Sequence, residues 1–232
     1  MTRLSRARGL AGRAVRRASW RSTSDYWNRH YAAGHNSGAG SFGRLASFKA
    51  ATLNALVDEF DVASVVELGC GDGNQLRLAE YRAYLGLDVA RDALRQSIAT
   101  FSDDSTKSFM LYDPEFWVNN SALVFDAAIS LDVIFHLVED STFHSHMEHL
   151  FQLASQLVII YSSNHEEPHK EPYMRHHHLS AWVESNRPEW RLVRTIPNLY
   201  PYNDAAPNDT SYSDFFVFTR EDVGAAQAGL TT

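Results

Sequence analysis

Residues 65–73 read Val65-Val66-Glu67-Leu68-Gly69-Cys70-Gly71-Asp72-Gly73, an apolar run of strand length that breaks into alternating glycines. Glycine lets a chain turn sharply and lets a ligand approach backbone N–H groups where a helix begins. In an open parallel sheet, ligands settle outside the carboxyl ends of the strands, where the first crossover leaves a crevice. The spacing discriminates between ligands. A dinucleotide fingerprint is G-x-G-x-x-G, whereas Gly69, Gly71 and Gly73 make G-x-G-x-G, with Glu67 two residues ahead of the first glycine. The competing reading is a tight strand-to-helix turn with no ligand, its acids acting as solvated caps.

Outward from this turn the pattern alternates. Strands are expected at Ser64–Leu68, Tyr84–Leu87, Lys107–Leu111, Val124–Ser130 and Leu157–Tyr161, with helices near Gln75–Glu80 and over 90–101 and 140–154. Such alternation predicts an α/β, doubly wound, mostly parallel sheet with helices on both faces. Upstream, Ser24–Tyr31 has a capping serine and aromatic residues at helical spacing, and residues 34–43 hold four glycines and read as a loop. Residues 44–60 put Leu45, Phe48, Leu53, Leu56 and Phe60 on one helical face. Downstream, a polar loop (165–175) and a helix from Leu179 lead to strands Trp190–Ile196 and Asp214–Thr219, a closing hairpin at the sheet edge.

Two further acids stand at strand ends. Asp88 ends Gly86-Leu87-Asp88, where a carboxylate can accept from the two hydroxyls of a ribose, and Asp113 follows the third strand, within reach of an adenine amino group. With E-L-G-C-G-D-G, G-L-D and this third acid in register, the chain resembles the class I S-adenosylmethionine-dependent methyltransferases. The resemblance spans roughly residues 44–220. It implies a seven-stranded Rossmann-like sheet with an antiparallel final strand, S-adenosyl-L-methionine as cofactor, and methyl transfer as the activity. It places Gly69, Gly71 and Gly73 under the methionine part, Glu67 near its amino group, Asp88 at the ribose and Asp113 at adenine. In relatives the segment ahead of the core often folds over the cofactor. On that basis residues 25–43 are read as a helix and lid, with Ser41 and Arg44 reaching cofactor or substrate.

Methyl transfer is an in-line displacement, and an alcohol acceptor must lose its proton as the C–O bond forms. After the fourth strand the chain reads Ser130-Leu131-Asp132-Val133-Ile134-Phe135-His136-Leu137, with none of the N-P-P-Y or D-P-P-Y phrases of nitrogen-methylating branches. His136 is therefore the candidate general base. Asp132 at i, i+4 spacing is its candidate orienting group, or else touches the methionine amine with the Leu131 backbone. The competing reading of His136 is a capping or core histidine. Tyr31, Tyr161, His165 and His176 are candidate substrate contacts. The phrases Y-W-N-R-H-Y, N-S-G-A-G-S-F-G-R-L-A and L-D-V-I-F-H-L-V-E-D are similar to a compact bacterial group. That group includes a mycobacterial sugar 1-O-methyltransferase of methylmannose polysaccharide synthesis, which implies a small hydroxylated acceptor, a sugar among the candidates. His144, His146 and His149 fit no metalloprotease order and are read as a solvated helix face. No metal site is assigned.

The 232 residues suit a single domain, and at 44% hydrophobic they can build one substantial core. One cysteine, Cys70, excludes an internal disulfide and favours a reducing, cytoplasmic setting. No apolar run reaches the length of a membrane span. Residues 1–24 carry seven arginines and no acid, while all 28 acidic residues lie in the remainder. An acidic body argues against a nucleic-acid surface. The Arg-rich arm reads as a mobile extension, superficially like a mitochondrial presequence, and 221–232 as a flexible tail. Oligomeric state is left open, a dimer among the options.

Overall fold

The computed structural model describes residues 21–221 apart from Lys170 and Pro172. Of the extension expected at 1–24, residues 1–20 lie outside the described residues, as does the tail after 221, while Ser22 caps and Thr23 and Ser24 open the first helix. Strands β1 (Val65–Leu68), β2 (Tyr84–Asp88), β3 (Lys107–Leu111), β4 (Phe125–Leu131), β5 (Ala154–Ser162), β6 (Trp190–Ile196) and β7 (Asp214–Arg220) form one sheet. Their order is β3-β2-β1-β4-β5-β7-β6. The first five run parallel, and β7 lies antiparallel between β5 and β6. The expected doubly wound sheet with an antiparallel final strand is present.

Helices α1 (Thr23–Ala32), α2 (Gly43–Glu59), α3 (Arg91–Thr100), α4 (Asp140–Gln152) and α5 (Leu179–Asn186) complete the architecture. The period-2 geometry of a strand sends alternate side chains to opposite faces. On β5, Val158 and Ile160 pack with Met147 and Leu150 of α4, whereas Leu157 and Ile159 pack with Leu53, Leu56 and Val57 of α2. Burial on both sides is why the strand reads as a continuous apolar run rather than an alternating one.

Local departures from expectation have physical causes. Ser22, not Ser24, caps α1, its hydroxyl accepting from the Asp25 N–H at 3.1 Å. The helix expected at Gln75–Glu80 is a single 3₁₀ turn, Gln75–Leu78, because Ala79 already has extended backbone. β5 starts at Ala154, so α4 stops at Gln152. β1 connects to β2 on one side and neighbours β4 on the other, so the strand order reverses at the carboxyl end of β1. A crevice is expected there.

Candidate functional site

A cavity of about 570 Å³ opens at that reversal point. Its floor is the carboxyl edge of the sheet: Glu67, Gly69, Cys70 and Gly71 after β1, Asp88 and Val89 after β2, and Leu131, Asp132 and Val133 after β4. Helix α1 and residues 36–41 cover it, and the far wall comes from the β5–α5 and β6–β7 connections.

The glycine turn needs its glycines. Gly69 has φ +87°, and a Cβ there would stand 2.4 Å from a Val133 methyl. Gly71 has φ +58°, and its added Cβ would meet the Tyr31 hydroxyl at 2.8 Å. Neither position has room for a side chain, so backbone itself forms the cavity surface. Gly73 supports the turn against Ser97 and Phe101 and does not line the cavity.

Burial raises the carboxyls of both Asp88 and Glu67. Asp88 accepts from the Gly71 and Ala90 N–H groups, both at 2.8 Å, which ties β2 to the glycine turn. Burial nevertheless raises its carboxyl to about 6. Glu67 accepts from the Tyr84 hydroxyl at 2.6 Å, and burial raises it to about 7 against the pull of Tyr84 and the nearby Lys49. Native Glu67 binds a proton more readily than the unfolded chain does, so its ionisation subtracts stability as pH rises from about 4.5 to 7 and no further above. Glu67→Gln keeps an acceptor for Tyr84. It is expected to raise stability by about 2–3 kcal/mol at pH 8 and by nothing near pH 4.5. Denaturant unfolding at both pH values checks this, and equal effects at the two would refute it.

Sequence reasoning missed Lys49. It sits on the apolar stripe of α2 between Leu45 and Leu53, is 1% exposed, and pairs with Asp132 at 2.7 Å. Asp132 also accepts from the Ser213 hydroxyl at 3.0 Å, and Gly40 is pressed against it, where a Cβ would come within 2.7 Å of the carboxylate. The signal was there, a lysine at a core-facing helical position. Breaking a buried pair by removing one partner is costly. Lys49→Met is expected to destabilise by about 2 kcal/mol, discounted because Asp132 is partly exposed. Adding Asp132→Asn should recover much of that in a double-mutant cycle, whereas strict additivity would show the pair to be inert.

This pairing corrects the role expected of Asp132. The chain after β4 is a 3₁₀ turn, Ile134–His136, so no i, i+4 stack exists, and the Asp132 carboxylate is held by Lys49 and Ser213. His136 is instead oriented by backbone, its Nδ1 lying 3.2 Å from the Tyr173 carbonyl. A carbonyl only accepts, so Nδ1 carries the proton and Nε2 is the acceptor. The half-buried ring lines the cavity edge-on to Trp27, with 4.9 Å between centroids. Desolvation lowers it to about 4, so the imidazole is neutral at physiological pH.

Other expectations divide. Leu131, Ser41 and Tyr31 line the cavity, Tyr31 with its hydroxyl over Gly71 at the glycine turn rather than at the substrate end expected of it. Asp113 does not: it is exposed and caps the Glu115 N–H at 3.1 Å, while its neighbours Tyr112 and Pro114 form the wall. Arg44 is also exposed, donating to the Asp209 carbonyl at 2.8 Å and lying over the Tyr200 ring. Tyr161 is 1% exposed among Phe48 and Phe215, a core residue rather than a substrate contact. His165 and His176 lie against each other with their rings tilted by 38° and do not line the cavity, His176 Nδ1 lying 2.6 Å from the Ser163 hydroxyl. Of the three α4 histidines only His144 is exposed as expected; His146 is buried against the Ser130 hydroxyl and lines the cavity, and half-buried His149 meets the Tyr112 hydroxyl.

Buried polar atoms test whether this site suits an adenosyl amino acid. Gln75 is 9% exposed and lines the cavity; its Nε2 donates to the Ala46 carbonyl, but Oε1 has no hydrogen-bond partner. The Ser37 hydroxyl, also on the cavity, is likewise buried without a partner. Orphaned groups of this kind mark where a ligand's polar atoms belong. With Glu67, an unmet acceptor and an unmet hydroxyl beside a backbone cradle fit an ammonium and carboxylate pair, and Asp88 fits a diol.

No family model matches the sequence, and no curated protein matches it. Solved structures do. The N-methyltransferase NodS of Bradyrhizobium japonicum, in complex with S-adenosyl-L-homocysteine, superposes with a TM-score of 0.68 at 14% identity, covering 87% of this chain and 100% of that one. Magnesium protoporphyrin IX methyltransferase of Synechocystis with bound S-adenosylmethionine gives 0.59 at 16% identity over 88% and 99%. The methyltransferase domain of a bacterial Hen1 protein gives 0.58 at 19% identity over 74% and 96%. The fold of this chain is the Rossmann-like methyltransferase fold.

Proposed function

We propose that the chain is an S-adenosylmethionine-dependent O-methyltransferase for a hydroxyl of a small molecule, the sugar-methylating group being the narrower candidate. The observation that carries this reading is the cavity at the glycine turn, where orphaned Gln75 Oε1 and Ser37 Oγ stand beside Glu67 and Asp88 while His136 presents Nε2. The bound cofactor supplies an electrophilic methyl on a sulfonium. The chain's own residues then do the rest. Asp88 accepts from the ribose diol, Glu67 and Gln75 accept from the amino group, and Ser37 donates to the carboxylate. Residues 36–41 and α1 act as the lid and exclude water.

His136 holds the acceptor hydroxyl through Nε2 and takes its proton. An alcohol oxygen becomes strongly acidic once it bonds to the incoming methyl, so a neutral imidazole of low basicity suffices late in the step. The Tyr173 carbonyl fixes the tautomer throughout. The test is calorimetry with S-adenosylhomocysteine, followed by labelled methyl transfer from S-adenosylmethionine to a panel of sugars and phenols. Absence of binding sinks the reading; binding without transfer to any hydroxyl favours a nitrogen acceptor or a noncatalytic partner protein.

A further inference from the structure

We infer that the acceptor is an uncharged hydroxylated ring that lays a flat or C–H face on an aromatic wall, a phenol or a pyranose, and not a phosphorylated or carboxylated one. This rests on the methyltransferase reading. The cofactor end of the cavity is fixed over β1 and β2 by the glycine turn and Asp88. The opposite end lies over β4, β5 and β7, with His136 between. Rings dominate it. Tyr202 and Tyr212 stack face to face at 3.7 Å between centroids and 18° between planes. His169 stands edge-on to Tyr212 at 5.9 Å, and Tyr173 lies nearly parallel to His136 at 6.5 Å. Trp27 of α1 closes the box over His136.

Charge points the same way. Among the described residues lining the cavity there is no arginine, and the one lysine, Lys49, is already spent on Asp132, while Glu67, Asp88 and Asp132 contribute three carboxylates. Recognition of a phosphate or carboxylate uses Arg, Lys or a helix N-terminus. At the acceptor end an anion would meet ring faces, whose π density is negative, with no arginine or lysine among the described lining residues free to pair with it. Sugar and phenol rings share the one chemistry this wall offers, an apolar face with hydroxyls at its edge.

The experiment measures binding directly, with and without saturating S-adenosylhomocysteine, so that the acceptor site is read apart from the cofactor site. Catechol and glucose are compared with their anionic counterparts, 3,4-dihydroxybenzoate and glucuronate. At least one neutral ring is expected to bind, about tenfold or more tighter than its anion. Tyr212→Ala should weaken that ligand by about tenfold and Tyr212→Phe by less than twofold, because the ring face carries the contact. The proposal is overturned if an anion binds as tightly as its neutral partner, if no neutral ring binds, or if Tyr212→Ala leaves affinity unchanged. Failure of S-adenosylhomocysteine itself to bind would instead strike the cofactor assignment.

Discussion

Asp88→Ala is expected to weaken S-adenosylhomocysteine binding by at least about a hundredfold. Two charge-assisted hydrogen bonds to a diol contribute about 1.5–3 kcal/mol each, and both vanish with the carboxylate. The same change orphans the Gly71 and Ala90 N–H groups, which Asp88 now satisfies at 2.8 Å. Each unmet buried donor costs about 1–3 kcal/mol, so the variant should also unfold at lower temperature. Calorimetry well below that temperature separates the two effects. Asp88→Asn can still accept from Ala90 but turns an NH₂ toward Gly71, so it should recover part of the stability and little of the affinity. The wild-type carboxyl stands at about 6, so affinity should fall as pH drops below that value. Affinity in Asp88→Ala within fivefold of wild type would remove the ribose assignment.

His136→Ala is expected to slow methyl transfer to the best hydroxyl acceptor by about 10²–10⁴-fold while leaving S-adenosylhomocysteine affinity within twofold. A capping or core histidine would lower stability instead and leave the chemical step near its original rate. Because burial holds the imidazole at about 4, wild-type turnover should show no acid limb from this residue above about pH 5. A rate loss below tenfold would reject the base and favour an amine acceptor, which needs only to be neutral.

Much of this architecture is legible in the sequence because its signals are local. A strand segment such as Leu157–Ile160 of β5, buried on both faces, is apolar throughout, and a backbone that must take positive φ calls for glycine at 69 and 71. Asp88 is legible for the same reason, since its place is set by the end of the strand that carries it. Asp113 and Tyr161 misled because strand-end position does not fix which way a side chain turns, and Arg44 because its place in the first turn of α2 does not fix it either. Asp113 caps its own turn, Arg44 leans on the β6–β7 connection, and Tyr161 lies on the face of β5 that α2 covers. Lys49, Gln75 and the Tyr173 carbonyl escaped because each acquires meaning only through a partner distant in the chain. The place of residues 202–212 beside His169 and Tyr173 depends on how the sheet closes.

That closure orders events during synthesis. β7, the last of the seven strands in chain order among the described residues, is the wedge between β5 and β6, and residues 202–212, half of the ring-lined wall, immediately precede it. On the ribosome, a nascent chain that has not yet released residue 220 has a sheet split at its centre-right seam and no finished pocket. Nothing can be held productively until β7 is in place. Premature termination anywhere upstream of Asp214 should therefore yield a species that exposes the apolar edge of β5 and falls to chaperones or proteases, rather than a slower catalyst.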